Sequence, residues 1–252
     1  MIENLAGVMF VRQGHALDYC FEAAIKSMQA VCHKVFVTYC ESTDGTLETL
    51  MTLDGIEILQ CDEALWQAQQ GREKLSYFQN ISIDYAHQKG YEYVLLVQAD
   101  EVLDPDSIPH IKQALALGEE GYYVSRHNMW GDKNHMLNVP QSRKPCSSVV
   151  NRISKSTYKS VDDGESLYTP PASLDFINKI EIWHVGFIRD NAKHIAKIKE
   201  MQGNIFLWTP DERVNLKPEF DWKDWGFSHS DLVHIHKPLP IFLNDWIESL
   251  NK

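Results

Sequence analysis

The alternation of apolar runs and amphipathic stretches predicts a sheet with intervening helices in the first half of the chain. Helical spacing of apolar residues is seen at 17–31, 73–89 and 107–117. Because strands and helices alternate, we expect an α/β fold with a mostly parallel, Rossmann-like sheet covered by helices on both faces. The strands are predicted from short apolar, β-favouring runs at residues 7–12, 34–39, 56–60, 93–97 and 121–125.

The second half of the chain is less regular. Weaker strand patterns occur at 148–153 and 180–185, and helices are predicted near 192–202 and 240–250. An aromatic stretch punctuated by prolines, residues 205–227, is too apolar for a linker and too irregular for a helix. Since no repeat, low-complexity tract or clear linker divides the chain, we predict one domain over residues 1–252, with halves 1–126 and 127–252.

Composition narrows the class of protein. The chain has 252 residues, and its net charge of −11 disfavours nucleic-acid partners, which are bound through contacts to their phosphates. Its five cysteines are odd in number and form no Cys-x-x-Cys pair, so we expect buried free thiols and a cytoplasmic location. The N-terminus lacks the pattern of a secretory signal, and no apolar run reaches the roughly 20 residues of a membrane span.

Two adjacent carboxylates follow the apolar run at 93–97. Asp100 and Glu101 are predicted to lie at the carboxyl end of this strand, where open α/β sheets bind their ligands. Neighbouring carboxylates repel each other, and burying an uncompensated one is costly, so we expect a positive group to meet them. Residues 104–106, Asp-Pro-Asp, already provide the turn into the next helix, which leaves Asp100 available for a ligand.

Several stretches together resemble glycosyltransferase family 2 enzymes with the GT-A fold. KVFVTYCESTDGTLETL, residues 34–50, resembles the family's second strand and its Ser-Thr-Asp-Gly-Thr turn. YFQNISIDYAHQKGYEYVLLVQADEVL, residues 77–103, resembles the helix and strand that lead to the Asp-x-Asp or Asp-Glu metal motif. IEIWHVGFIRD, residues 180–190, is similar to a His-x-Gly-x-x-Arg stretch of one subgroup, and residues 149–167 are similar to its acceptor-side segment.

The resemblance implies a metal-dependent, inverting glycosyltransferase that uses a nucleotide-sugar donor, a UDP- or GDP-sugar, and an unidentified acceptor. Residues 1–126 would bind the nucleotide sugar, and 127–252 would form the acceptor side. Asp100 would be the principal ligand of Mn²⁺ or Mg²⁺, with Glu101 as a water-mediated or outer partner and His184 as a further ligand. Asp163 would be the general base opposite the leaving group, and Arg189 would bind a phosphate.

The resemblance also implies a set of substrate-binding residues. Arg12 and Glu41 stand where family members hold the base and ribose, and Lys74 or Arg72 would contact a phosphate. Gln98 occupies the place of the first Asp of Asp-x-Asp, which would weaken metal binding while leaving the residue beside the donor. Trp130 would line the sugar or acceptor pocket, where aromatic faces pack on sugar C–H surfaces.

For several of these residues an ordinary structural interpretation stays open. His184 and Trp130 also fit core positions, and Arg189 fits a surface ion pair with Asp190. Asp163 also fits an Asp-Gly turn, in which case Asp132 is the alternative base. Asp44 fits a helix N-cap better than a ligand.

Other functions compete with glycosyl transfer. The same fold could serve as a nucleotide-sugar or glycan-binding module without turnover, could act on a modified nucleobase in DNA, or could be a sugar nucleotidyltransferase. A phosphatase of the haloacid dehalogenase type is excluded, because Ser42 stands where its nucleophilic Asp is required. His234 and His236 alternate onto one face of a strand and are interpreted as a structural or acceptor-side feature.

Overall fold

The computed structural model describes residues 1–71, 73–138, 148–161, 164, 166–168, 172–188, 192–193, 196–197 and 231–250. Within these residues the chain forms a ten-stranded mixed sheet, a separate two-stranded ribbon, and helices that pack on the large sheet. The predicted α/β class is therefore confirmed.

Strands and helices follow one another in alternation through the first part of the chain, as predicted. The helices are α1 (Phe21–Gln29), α2 (Thr46–Met51), α3 (Glu63–Ala68), α4 (Glu73–Gln88), α5 (Ile108–Leu117) and α6 (Ile241–Ser249). The strands are β1 (Ile2–Val11), β2 (Cys32–Cys40), β3 (Ile56–Cys61), β4 (Tyr93–Leu96), β5 (Glu101–Leu103), β6 (Gly121–Trp130), β7 (His135–Leu137), β8 (Val149–Lys155), β9 (Ser160–Val161), β10 (Ser166–Leu167), β11 (Glu181–Phe187) and β12 (Leu232–His234).

The order of strands places the ends of the central strands side by side. The main path of the sheet runs β12-β7-β6-β8-β4-β1-β2-β3, and its β3-β2-β1-β4 part is parallel throughout, as in a Rossmann half. β8 lies antiparallel between β4 and β6, whereas β11 pairs parallel with β6 and antiparallel with the short β5. Most strands thus point the same way, and their carboxyl ends meet at one edge.

Side chains of β1 alternate between the two faces, and each face carries helices. Leu5 and Met9 pack with residues of α1 and α5, whereas Ala6 and Val8 pack with residues of α4. Each large aliphatic or aromatic side chain buried in this way contributes about 1.5–3 kcal/mol to stability. At Gly7 a Cβ would lie 2.9 Å from the sulfur of Met28, so glycine allows α1 to approach the sheet closely.

Lys237, which follows β12, forms ion pairs with carboxylates next to β5 and on β11. The Nζ of Lys237 lies 2.7 Å from a carboxylate oxygen of Asp104 and also contacts Glu181. A hydrogen bond with His127 lowers the pKa of Glu181 to about 2, with burial opposing this shift and Lys237 adding to it. The indole N–H of Trp183 donates to Asp104 at 3.1 Å, which joins β11 to the turn after β5.

Several boundaries and elements differ from the sequence prediction. The first helix begins at Phe21, not at residue 17, because residues 13–18 form turns in which Gln13 and Asp18 have φ values of 52° and 50°. Helix α3 and the short strands β5, β7, β9, β10 and β12 were not predicted, since two to six residues are too few to show a periodic pattern.

Other expectations concern cysteines, membrane spans and the later segments. Cys20, Cys32, Cys40 and Cys61 are free and buried, as expected, and Cys146 lies outside the described residues. Of the described helices, none has both the length and the hydropathy needed to cross a membrane. Residues 192–193 and 196–197 of the predicted helix 192–202 are helical, while its other residues and the stretch 205–227 lie outside the described residues.

Candidate active site

The chain turns sharply between β4 and β5, and this turn carries the two adjacent carboxylates. Asp100 is 5% exposed and Glu101 is fully buried. A backbone hydrogen bond of 3.0 Å from Glu101 N–H to the Gln98 carbonyl closes the turn. The two carboxylates have different partners, so each is compensated separately.

Glu101 is held by two buried arginines. Its Oε1 lies 2.5 Å from Nη2 of Arg152, on β8, and 3.6 Å from Nη1 of Arg126, on β6. Its Oε2 accepts a hydrogen bond of 3.0 Å from the Gln98 N–H. A fully buried carboxylate with these partners stabilises the strand end, and removing one partner of such a pair leaves an uncompensated charge. Metal ligation by Glu101 stays a prediction, and this geometry favours an outer, supporting role.

Asp100 contacts His184 on β11 and Lys197, a helical residue that follows β11 in the chain. Its Oδ2 lies 3.6 Å from Nε2 of His184 and 2.6 Å from Nζ of Lys197. Its backbone carbonyl accepts from the N–H of Val185 at 2.9 Å, and His184 pairs with Glu101 in the β5–β11 ladder. The structure therefore brings together the two residues that the sequence analysis assigned to metal binding from distant motifs.

His184 is buried with one ring nitrogen unpaired within the described residues, and Gly186 leaves room beside its ring. His184 is 7% exposed, and its Nδ1 has no hydrogen-bond partner among the described residues. A Cβ on Gly186 would lie 2.6 Å from Nε2 of His184 and 3.1 Å from Oδ2 of Asp100. Glycine is therefore needed there for the imidazole and the carboxylate to share one space.

The Asp100 carboxylate and the His184 imidazole suit a divalent cation that takes most of its ligands from water or substrate. Within the described chain, no group of three or more His, Cys, Asp and Glu side chains is arranged to hold a metal ion. One carboxylate and one imidazole, completed by water and phosphate oxygens, form a ligand set that suits Mn²⁺ or Mg²⁺, and the imidazole favours Mn²⁺. Nε2 of His184 and Oδ2 of Asp100 both border the space beside Gly186, and as one nitrogen and one oxygen donor they fit such an ion.

Trp130 contributes to this site indirectly. It is fully buried at the end of β6, and its ring packs on Phe187 with a centroid distance of 4.1 Å. The Phe187 ring in turn lies 5.3 Å from the His184 ring. Trp130 thus supports the position of the imidazole through Phe187, and its contact with a sugar stays a prediction.

A second cluster lies at the ends of β1, β2 and β3. The Trp66 ring is contacted by two cations, Arg12 at 4.7 Å and Lys74 at 3.8 Å from its centroid. Arg12 also lies 2.8 Å from Oε2 of Glu63, and Glu41 accepts a hydrogen bond from the N–H of Glu63 at 3.1 Å. Arg12, Glu41 and Lys74 are therefore gathered in one place, and their binding of a nucleotide stays a prediction.

The sequence analysis missed Glu63 and Trp66. Burial raises the pKa of Glu63, but hydrogen bonds from Gln67 and Arg12 outweigh this, so its pKa is lowered and the carboxylate stays charged beside Arg12. The Glu-Ala-Leu-Trp-Gln-Ala stretch is a single short helix, and nothing in its pattern shows that its Trp turns toward Arg12.

Gln98 connects the strand-end turn to the acceptor-side segment. Its side-chain N–H donates to the carbonyl of Gly164 at 3.3 Å, and Gly164 in turn lies against Leu75 of α4. The Val-Asp-Asp-Gly-Glu-Ser run therefore reaches the site at Gly164. Asp163 and Arg189, predicted as base and phosphate ligand, lie outside the described residues.

The Ser-Thr-Asp-Gly-Thr turn shapes the loop after β1. Asp44 accepts hydrogen bonds from the N–H of Ala16 at 2.8 Å and of Thr46 at 3.2 Å, and Thr46 Oγ1 accepts from the N–H of Gly14 at 2.8 Å. Burial raises the pKa of Asp44, but the hydrogen bonds from Ala16 and Thr46 lower it by more, so the pKa lies below its usual value. The N-cap of α2 is Gly45 and not Asp44 as predicted; Asp44 lies one residue earlier and ties two loops together.

Asp132, the alternative base, lies on the exposed turn between β6 and β7. It accepts a hydrogen bond of 2.7 Å from the N–H of Asn134, and its Oδ1 lies 2.8 Å from Nδ1 of His135. None of these contacts involves the strand-end turn that carries Asp100.

Comparison with known proteins gives distant structural likeness. No family model and no curated protein matches the chain. S. aureus TarS 1-349 in complex with UDP is 18% identical over 56% of this chain and 39% of its own, with a TM-score of 0.38. A putative glucose-1-phosphate thymidylyltransferase from Bacillus anthracis is 10% identical over 61% and 72%, with a TM-score of 0.41.

A third likeness has the same distant character. Glucosyl-3-phosphoglycerate synthase from Mycobacterium tuberculosis, in complex with Mn²⁺, UDP and phosphoglyceric acid, is 15% identical over 49% of this chain and 43% of its own, with a TM-score of 0.34. The chain thus matches less than half the length of TarS 1-349 and of the synthase. At these TM-scores the function has to be inferred from the residues of the site.

Proposed function

We propose that this protein is a metal-dependent, inverting glycosyltransferase that moves a sugar from a UDP- or GDP-sugar to an acceptor. The observation that carries the proposal is the buried pair of Asp100 and His184 at the carboxyl end of the central strands. This is the position at which α/β sheets bind their ligands. The pair also has the chemistry of a small cation site.

In this proposal Asp100 and His184 hold the cation, and their surroundings keep them in place. A bound cation would neutralise the charge that develops on the leaving diphosphate. Glu101 contributes indirectly, because its ion pairs with Arg152 and Arg126 fix the turn that presents Asp100. Low exposure of both ligands excludes water and strengthens their interactions with a charged ligand.

The nucleoside would lie over the ends of β1, β2 and β3. Arg12, held by Glu63 and stacked on Trp66, provides a cation and an aromatic surface on this side of the sheet. Glu41 offers a carboxylate for ribose hydroxyls, and Lys74 adds positive charge next to the same indole. Because β1 neighbours β4 in the sheet, a nucleotide bound here would extend its diphosphate toward Asp100.

The acceptor side completes the proposal. Asp163 would take the proton of the acceptor hydroxyl, and Arg189 would bind a phosphate oxygen of the donor. The hydrogen bond from Gln98 to Gly164 supports this assignment, because it brings the residue next to Asp163 in sequence to the strand-end turn. Inversion follows from a base that lies opposite the leaving group.

The test replaces Asp100 by asparagine, which keeps the shape and removes the charge. We expect Asp100→Asn to lose Mn²⁺-dependent stabilisation by UDP or GDP and to lose transfer from a panel of UDP- and GDP-sugars. Ligand at 100 times its Kd stabilises a protein by about 2.7 kcal/mol, so a thermal-shift assay detects the loss. Asp84→Asn, an exposed carboxylate paired with Lys159, is the matched control.

The outcomes separate enzyme from binding module. Wild-type Mn²⁺–nucleotide stabilisation in Asp100→Asn would exclude the proposed cation site. Stabilisation of the wild type without hydrolysis or transfer of any labelled sugar would favour a nucleotide-sugar-binding module. The amide of Gln98, in place of a carboxylate, is the feature that supports this second function.

A further inference from the structure

Lys197 belongs to the segment that the sequence analysis predicted as a helix near 192–202. Its Nζ is 2.6 Å from Oδ2 of Asp100, and its side chain is only 16% exposed. Lys193, on the same stretch, is 36% exposed and contacts Asp18 at 3.4 Å. Of these two lysines, Lys197 is therefore the one that enters the site.

The ammonium group and the proposed cation compete for the same atom. Oδ2 of Asp100 is the oxygen that faces His184 at 3.6 Å, and it is also the oxygen that Lys197 contacts. The Lys197 ammonium also lies 5.3 Å from the centroid of the Tyr19 ring, so an aromatic face supports its charge. A divalent ion entering this space would meet a positive charge within hydrogen-bond distance of the Asp100 carboxylate, its proposed ligand.

A nucleoside diphosphate would change this balance. Its negatively charged diphosphate would pair with the Lys197 ammonium close to Asp100. Oxygens of the same diphosphate would also serve as ligands of the metal. When one ligand removes an obstacle to the binding of another, each raises the affinity of the site for the other by the same factor.

We propose that Lys197 is a resident counter-cation of Asp100 that makes metal and nucleotide bind as a pair. Without nucleotide, Lys197 occupies the Asp100 carboxylate and keeps the affinity for free metal low. With nucleotide, Lys197 moves to the diphosphate and Asp100 becomes a metal ligand. This role rests on the proposed function, since it assigns a cation to Asp100.

The test measures binding, independently of turnover, in the full chain. Lys197→Met keeps the aliphatic stem and removes the charge, and Lys193→Met is the matched control. We expect Lys197→Met to bind Mn²⁺ alone about tenfold more tightly, by electron paramagnetic resonance titration, and to bind UDP or GDP alone about tenfold more weakly, by calorimetry. We expect UDP or GDP to tighten Mn²⁺ binding in the wild type by a larger factor than in Lys197→Met.

Each outcome decides one point. Unchanged or weaker Mn²⁺ binding by a folded Lys197→Met would overturn the role of Lys197 and leave the cation site intact. If neither UDP nor GDP binds with Mn²⁺ to the wild type, the proposed function fails, and the role of Lys197 fails with it. Lys197→Arg keeps the charge, so it should restore the wild-type binding pattern; if Met and Arg behave alike, charge at this position is not the cause.

Discussion

Replacing Glu101 by glutamine tests whether its carboxylate acts as a structural anchor. The side chain is fully buried, and both of its arginine partners are at most 1% exposed. Removal of one partner from a buried ion pair costs about 3–5 kcal/mol, because the remaining charge is left uncompensated. Glu101→Gln takes the carboxylate away from both guanidinium groups, so we expect the free energy of unfolding to fall by an amount in this range.

The loss should be visible in equilibrium unfolding. A chain of this size loses about 2–4 °C of Tm per kcal/mol, so the expected change corresponds to a fall of roughly 6–20 °C. The seven tryptophans provide a fluorescence signal for urea unfolding. The measurement is made with a metal chelator present, so that metal binding contributes nothing to the difference.

The control and the refuting result are equally specific. Glu120→Gln removes an exposed carboxylate that pairs with Lys155 on the surface, and we expect it to leave the unfolding midpoint nearly unchanged. If Glu101→Gln unfolds like the wild type and instead loses Mn²⁺ affinity, Glu101 is a direct metal ligand, and the reasoning from its arginine partners is wrong.

Two further predictions concern β11. Gly186→Ala should displace the His184 ring and lower the free energy of unfolding by about 1–3 kcal/mol through overpacking. It should also weaken Mn²⁺ binding in the presence of UDP or GDP by about tenfold or more, measured by electron paramagnetic resonance. An unchanged Mn²⁺ affinity would show that the glycine is not needed. The folded pKa of Glu181, about 2, lies below the unfolded value near 4.3, so its contribution to stability is present above pH about 4.3 and is lost as pH falls toward 2. Glu181→Gln should therefore flatten the dependence of the unfolding midpoint between about pH 5 and pH 3, and a slope equal to that of the wild type would contradict the assignment.

The parallel half of the fold could be predicted because its signals are local. Apolar runs bounded by polar turns identify β1 to β4, and helical spacing identifies α4 and α5. The start of α1 was predicted too early, at residue 17 instead of Phe21, because apolar residues before the helix follow helical spacing while Gln13 and Asp18 adopt left-handed backbone conformations. The same loop is bonded to a turn about 30 residues away, through the N–H groups of Gly14 and Ala16, and no short window of sequence contains both partners.

Only the part of the candidate site that has local signals in the sequence could be predicted. The residues Asp100 and His184 belong to motifs, so each could be proposed from its own neighbourhood in the sequence. Arg126 and Arg152 look like interruptions of strand patterns, and their common partner, Glu101, is visible only once the strands are paired. Likewise, Lys197 follows the spacing of an exposed helix face, and only the packing of that stretch near Asp100 reveals its contact.

The short ladder between β5 and β11 has a consequence for how the site is made. It joins His184 to a neighbour of Asp100 across a long separation in sequence, so loop-closure entropy must be overcome before these two groups meet. A nascent chain that ends before β11 carries the aspartate but lacks its histidine. In the proposed function, where Asp100 and His184 hold the cation, its affinity would be acquired only when β11 pairs with β5, and metal binding would report that step of folding.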